Sequence, residues 1–149
     1  MITGLGHVAF RITDLEKALD FYCEKLGFRE AFRLEREGEP SPWIVYLQVA
    51  PNQFIELFPG ALGEYVPPGR SVGYNHFCLV VDNLQATLHE LAARGLAITG
   101  GPVQGLDRNW QYWITDPDGN AIELMQIMPD SPQAASDAQW RAAPLTENL

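Results

Sequence analysis

GHVAFRITDLEKALDFYCEKLGF, residues 6–28, returns in the second half of the chain as NHFCLVVDNLQATLHELAARGL, residues 75–96. His7 falls on His76, Leu15 on Leu84 and Leu19 on Leu88, all at an offset of 69. Farther on, WIVYLQVAPNQFIELF at 43–58 lines up with WQYWITDPDGNAIELM at 110–125, now at an offset of 67. There Trp43 meets Trp110, Tyr46 meets Trp113, and Ile55-Glu56-Leu57 meets Ile122-Glu123-Leu124. One such coincidence is within the reach of chance, but four in the same order are a tandem repeat. A repeat decides the architecture before any single element does.

Each half parses alike. GHVAFRI alternates in polarity and is rich enough in β-branched and aromatic residues for a strand. Asp14 is placed to cap a helix with Leu15, Ala18, Leu19, Tyr22 and Leu26 on one face and Gly27 as its stop. Strands are then expected at 29–35, 43–49 and 53–58, the last two joined through Ala50-Pro51-Asn52. In the second half a strand is expected at 75–81, then a helix capped by Asn83 and stopped at Gly95, then strands at 97–99, 109–115 and 121–127. Asp116-Pro117-Asp118-Gly119 is a strong turn sequence between the last two. The expected fold class is therefore α+β, with two βαβββ modules at 1–58 and 73–128 forming a curved mixed sheet. The Gly- and Pro-rich stretch 59–72 reads as a linker, and 129–149, where the pattern is lost, as a C-terminal tail.

The bulk properties narrow the function classes. The 149 residues suit one compact domain, 1–128 plus tail, with an ordinary globular composition. A formal net charge of −9 and the lack of any Lys/Arg cluster argue against a nucleic-acid partner. No run approaches the ~18 apolar residues of a membrane span, and MITGLGHVAFRI has no signal-peptide layout, so the expectation is a soluble, cytoplasmic protein. Cys23 and Cys78 form neither a CxxC pair nor a disulfide framework, which suits reduced thiols.

Strand alternation puts His7, Ala9 and Arg11 on one face, and Phe54, Glu56 and Phe58 likewise; His76 shares a face with Cys78 and Val80, and Glu123 with Ala121 and Met125. The aliphatic faces suit packing against the helices, leaving the His/Glu faces turned inward. A Glu among Phe54, Ile55, Leu57 and Phe58 is costly to bury unless paired, protonated or metal-bound. One His and one Glu from each half, brought together about a pseudo-twofold axis, make a ligand set for a divalent ion such as Ni, Co, Zn, Mn or Fe. Taken singly, a strand His is more often a satisfied core or surface residue than a ligand; the matched positions in both halves reverse that weighting. His89 reads as a solvated helix residue, Cys78 as small buried packing, and Trp43 and Trp110 as matched core positions. Arg11, four residues past His7 on the same face, either clamps a substrate carboxylate or pairs with a neighbouring acid.

GHVAFRITDLEKALDFY, FIELF, NHFCLVVDN and DPDGNAIELM, in this order, resemble the vicinal oxygen chelate superfamily, over residues 1 to about 128. That group includes glyoxalase I, extradiol dioxygenases, epimerases, and fosfomycin- and bleomycin-resistance proteins. The set His7, Glu56, His76 and Glu123, with Arg11 four residues past the first His, looks most like bacterial glyoxalase I, a lactoylglutathione lyase. The resemblance implies a divalent metal (Ni, Co or Zn ahead of Mn or Fe), Glu123 as the base, Glu56 as an exchangeable ligand, a small-molecule substrate and a homodimer. The alternatives it leaves are an epimerase, an extradiol dioxygenase, or a non-catalytic protein that binds a drug or aromatic ligand. Two departures weaken recognition of glutathione: Glu56 is followed by Leu57-Phe58-Pro59-Gly60 without the usual Asn, and Gln104 stands where a Lys is common.

Overall fold

The computed structural model of the protein describes residues 2, 4–63 and 72–142. The expected linker and tail therefore fall partly outside the described residues, at 64–71 and 143–149. The elements run β1 (His7–Arg11), α1 (Leu15–Leu19) widening into a π-helical turn (Asp20–Lys25), β2 (Arg29–Leu34), β3 (Ile44–Ala50) and β4 (Gln53–Phe58), then β5 (Phe77–Val80), α2 (Leu84–Ala93), β6 (Val103–Gln104), β7 (Trp110–Thr115), β8 (Ala121–Gln126) and α3 (Pro132–Ala142). The strands form two four-stranded sheets, ordered β1-β4-β3-β2 and β5-β8-β7-β6. This is the tandem α+β arrangement read from the repeat: in both sheets the first strand of the module lies beside its last.

The chain divides into two compact units. The unit holding the first sheet also contains Thr115–Asn120. Its core is the helix-facing parity expected from alternation: Phe10 of β1 and Ile12 just after it, with Ile55 and Leu57 of β4, joined by Ala18, Phe21, Tyr22, Val45 and Leu47. Asp14 caps α1 by accepting from Lys17 N at 3.1 Å. The π-helical turn that follows inserts one extra residue per turn, so Phe21 and Tyr22 are both buried rather than Tyr22 alone. Gly27, at φ 79°, ends this helix and Gly95, at φ 87°, ends α2, a conformation that costs a residue bearing Cβ.

Within this unit Asp116 is the main polar anchor. Tyr22 donates its hydroxyl to Asp116 Oδ2 at 2.7 Å, and Asn120 donates its backbone N–H to Oδ1 at 2.7 Å and its side-chain amide to Oδ2 at 2.8 Å. Thr13 donates both backbone N–H and hydroxyl to Asp118 Oδ1, at 3.0 and 2.6 Å.

The unit holding the second sheet packs Leu84, Leu88 and Leu91 of α2 on Tyr112, Ile114, Ile122 and Leu124. Asn83 caps α2, accepting from Ala86 N at 2.9 Å. Two sequence expectations are corrected here. Residues 97–99 form no strand: the Tyr112 hydroxyl donates to Thr99 O at 2.9 Å and accepts from Thr99 N at 2.8 Å, doing with a side chain what a ladder partner would do. The stretch after residue 128 is not patternless, because Ser131, 1% exposed, accepts from Ala134 N at 3.1 Å and Pro132 follows as the first residue of α3. The fully buried Asn109 holds the approach to α3, accepting from Met128 N at 2.9 Å and donating to Asp107 and Gln133.

Removing the Tyr22 hydroxyl leaves Asp116 buried with one partner fewer. Tyr22→Phe is expected to lower the unfolding free energy by about 1–3 kcal/mol, read from urea denaturation midpoints.

Candidate metal centre

In the first sheet β1 lies parallel to β4, with Ala9 opposite Glu56 and His7 opposite Phe54. His7 therefore stands two residues before the partner of Glu56 on the same face, and its Nδ1 lies 3.3 Å from Glu56 Oε1. The carboxylate is 5% exposed, whereas half of the His7 side chain faces solvent. On the other flank β3 places Tyr46 opposite Glu56. Hydrogen bonding toward the Glu56 carboxylate, then partial burial and the carboxylate charge, raise the Tyr46 pKa.

The second sheet repeats the register. β5 lies parallel to β8 with Cys78 opposite Glu123, so His76 again stands two residues before the partner of the Glu. His76 Nε2 is 3.2 Å from Glu123 Oε2, and Glu123 is 7% exposed. The other ring nitrogen, Nδ1, is 2.6 Å from Asn75 Oδ1. Asn75 Oδ1 is an acceptor, so this contact orients the ring with Nε2 toward the carboxylate. Trp113 packs edge-on against His76, with ring centroids 4.7 Å apart.

The structure thus brings His7 to Glu56 and His76 to Glu123, each pair within one unit. Neither unit alone gathers three His, Cys, Asp or Glu side chains around one point among the described residues. The donor chemistry of each pair, an imidazole nitrogen beside a buried carboxylate, fits a divalent transition metal. Arg11 lies on the His7 face with its guanidinium carbon 5.9 Å from the Phe58 ring centroid. It lines a cleft of about 770 Å³ together with Thr13, Ala61, Leu62, Asp118 and Asn120.

Several side residues sit differently from their sequence reading. Cys78 is not buried packing; one side of it is open to solvent. Partial burial first, then the Glu123 charge and a hydrogen bond to Glu123, push its thiol up to about 12. Trp110 is 37% exposed rather than core, and Trp43 is half-buried under the Arg36 guanidinium, 4.8 Å from its ring centroid. His89 is exposed on α2. Sequence reasoning passed over Asn75 and Tyr46 as partners of the site. The one available signal was that Tyr46 and Trp113 align in the repeat, a matched aromatic pair beside two matched acids.

Residues 4–124 match the family described as the Glyoxalase/Bleomycin resistance protein/Dioxygenase superfamily, and the chain belongs to it. Among curated relatives, a catechol-2,3-dioxygenase of Bacillus subtilis (strain 168) is 29% identical over 133 residues, which cover 87% of this chain and 43% of the dioxygenase. The chain thus spans less than half the length of that relative. A probable lactoylglutathione lyase of Vibrio cholerae is 29% identical over 129 residues, covering 80% of this chain and 88% of the lyase. Among solved structures, a glyoxylase/bleomycin resistance protein/dioxygenase domain from Frankia sp. superposes with a TM-score of 0.70 at 20% identity, covering 91% of this chain and 99% of that one. That likeness is one of fold.

A thiol held near pKa 12 carries little thiolate at pH 8.5, and its higher intrinsic nucleophilicity offsets the deficit only in part. Iodoacetamide at pH 8.5 should alkylate Cys78 of the metal-free folded protein at least about tenfold more slowly than the urea-unfolded chain, by peptide mass spectrometry.

Proposed function

We propose that this protein is a metal-dependent lyase or isomerase of the glyoxalase I type, acting on a small substrate with vicinal oxygens by proton transfer. The observation that carries this reading is the duplicated His–Glu pair, His7 with Glu56 and His76 with Glu123, each with a nearly buried carboxylate. These four side chains are the ligands, and the ion, when bound, supplies Lewis-acid polarisation of the substrate oxygens. Asn75 orients His76 through Nδ1, and the β-sheet backbone fixes where each carboxylate stands. Glu123 takes the proton from one substrate carbon and returns it to the neighbouring carbon. Glu56 serves first as a ligand. Arg11, open to solvent at the edge of its cleft, takes an anionic group of the substrate.

The Vibrio relative, named a probable lactoylglutathione lyase and matched along most of its length, supports this reading. A ring-cleaving dioxygenase is the second reading, prompted by the Bacillus relative. It needs iron(II) with a 2-His-1-carboxylate set and open positions for oxygen and catechol, and a second carboxylate ligand takes one of those positions.

Protein loaded with Ni, Co, Zn or Mn is expected to turn over the methylglyoxal–glutathione hemithioacetal with at least one of them. Glu123→Gln should be slower by at least about a hundredfold, the usual loss for a general base. Absence of turnover with all four metals would overturn the glyoxalase reading, and oxygen uptake with iron(II) and a catechol would favour the second.

A further inference from the structure

The two modules treat their carboxylates differently. Glu56 has a tyrosine across the β3–β4 ladder, whereas the residue that aligns with it in the second module is Trp113, whose ring lies against His76. On the opposite flank, Glu56 faces Ala9 and Glu123 faces Cys78. Of the cross-strand partners seen for the two acids, the phenol belongs to Glu56.

That neighbour is put in place by two irregularities in the sheet. At the hairpin Ala50 pairs with Gln53, and continuing that register without interruption would set Tyr46 opposite Leu57, on the helix-facing side of β4. A register shift between Gln48 and Ala50 moves Tyr46 by one residue, onto Glu56. The β2–β3 ladder shifts as well. From Glu30 opposite Leu47, an unbroken register would bring Ala31 to Tyr46, but the shift between Glu30 and Phe32 brings Phe32 there instead. The Phe32 ring then stacks on Tyr46 at 4.3 Å between centroids, and Phe54 meets Tyr46 edge-on at 6.3 Å. Two bulges thus converge on one residue, one setting it across the ladder from Glu56 and the other supplying a ring that stacks on it. Bulges of this kind re-aim side chains beside functional sites.

We propose that Tyr46 is the positioning residue of the first half-site, fixing the Glu56 carboxylate so that it meets a divalent metal in one orientation. The assignment rests on the metal reading above and deepens it: Glu56 is a held ligand. Tyr46 touches neither substrate nor metal; it acts through Glu56.

The test is the dissociation constant for Co(II), by competition with a chelating dye, for wild type, Tyr46→Phe, Glu56→Gln and the double variant, with the apo melting temperature of each. Phe keeps the ring between Phe32 and Phe54, so the apo Tyr46→Phe protein should stay folded and melt below wild type by no more than the loss of one hydrogen-bond partner of a buried carboxylate. Its Co(II) affinity should fall by about tenfold, the usual loss when a hydrogen-bond partner of a ligand is removed. In the Glu56→Gln background the same change should weaken binding no further. Unchanged affinity in Tyr46→Phe, or an equal loss in both backgrounds, overturns the role of Tyr46 and leaves the metal reading standing. A wild-type protein that takes up no Co(II) overturns both.

Discussion

Burying a carboxylate in the face of a β-sheet is the constraint on which this structure turns. Glu56 and Glu123 lie among aliphatic and aromatic neighbours at 5% and 7% exposure, where an uncompensated charge costs several kcal/mol. The parallel pairing of the module's first and last strands sets an imidazole beside the acid, at 3.3 Å in one sheet and 3.2 Å in the other. Parallel neighbours that are first and last in sequence need the helix and two intervening strands between them, so the βαβββ order and the His–Glu pair are one solution.

The opposite face of each sheet does the packing. Ile12, Val45, Leu47 and Leu57 in one unit, and Ile122, Leu124 and Leu84 in the other, are almost wholly buried, and they hold strand registers on which ångström-level placement of the acids depends. Polar anchors at the ends of elements fix the loops: Asp116 under Tyr22 and Asn120, and Asn109 before α3.

Alternation and the repeat were enough to read the tandem modules, both helix caps and both glycine stops, and they put each His on the face where it meets its Glu. Superfamily membership followed from the same fragments, and residues 4–124 match that family. What was not legible depended on single side chains overriding a pattern. The Tyr112 hydroxyl claims both backbone groups of Thr99 and so removes an expected strand at 97–99. A π-helical turn rotates Phe21 inward, which a 3.6-residue period does not anticipate. The Tyr46–Glu56 pairing was hidden because an uninterrupted hairpin register puts Tyr46 on the wrong partner, and the bulge that corrects it has no sequence mark. At α3, by contrast, Ser131-Pro132 was a readable cap signal that composition masked.

The central claim is that the two His–Glu pairs are halves of one ligand set rather than two separate ion pairs. It is tested most directly by native mass spectrometry of Ni(II) uptake by wild type, His7→Ala and His76→Ala. The account predicts one tightly held ion per chain in wild type, and loss of tight binding in both variants alike. Two ions per chain, or a variant that binds as tightly as wild type, would contradict it.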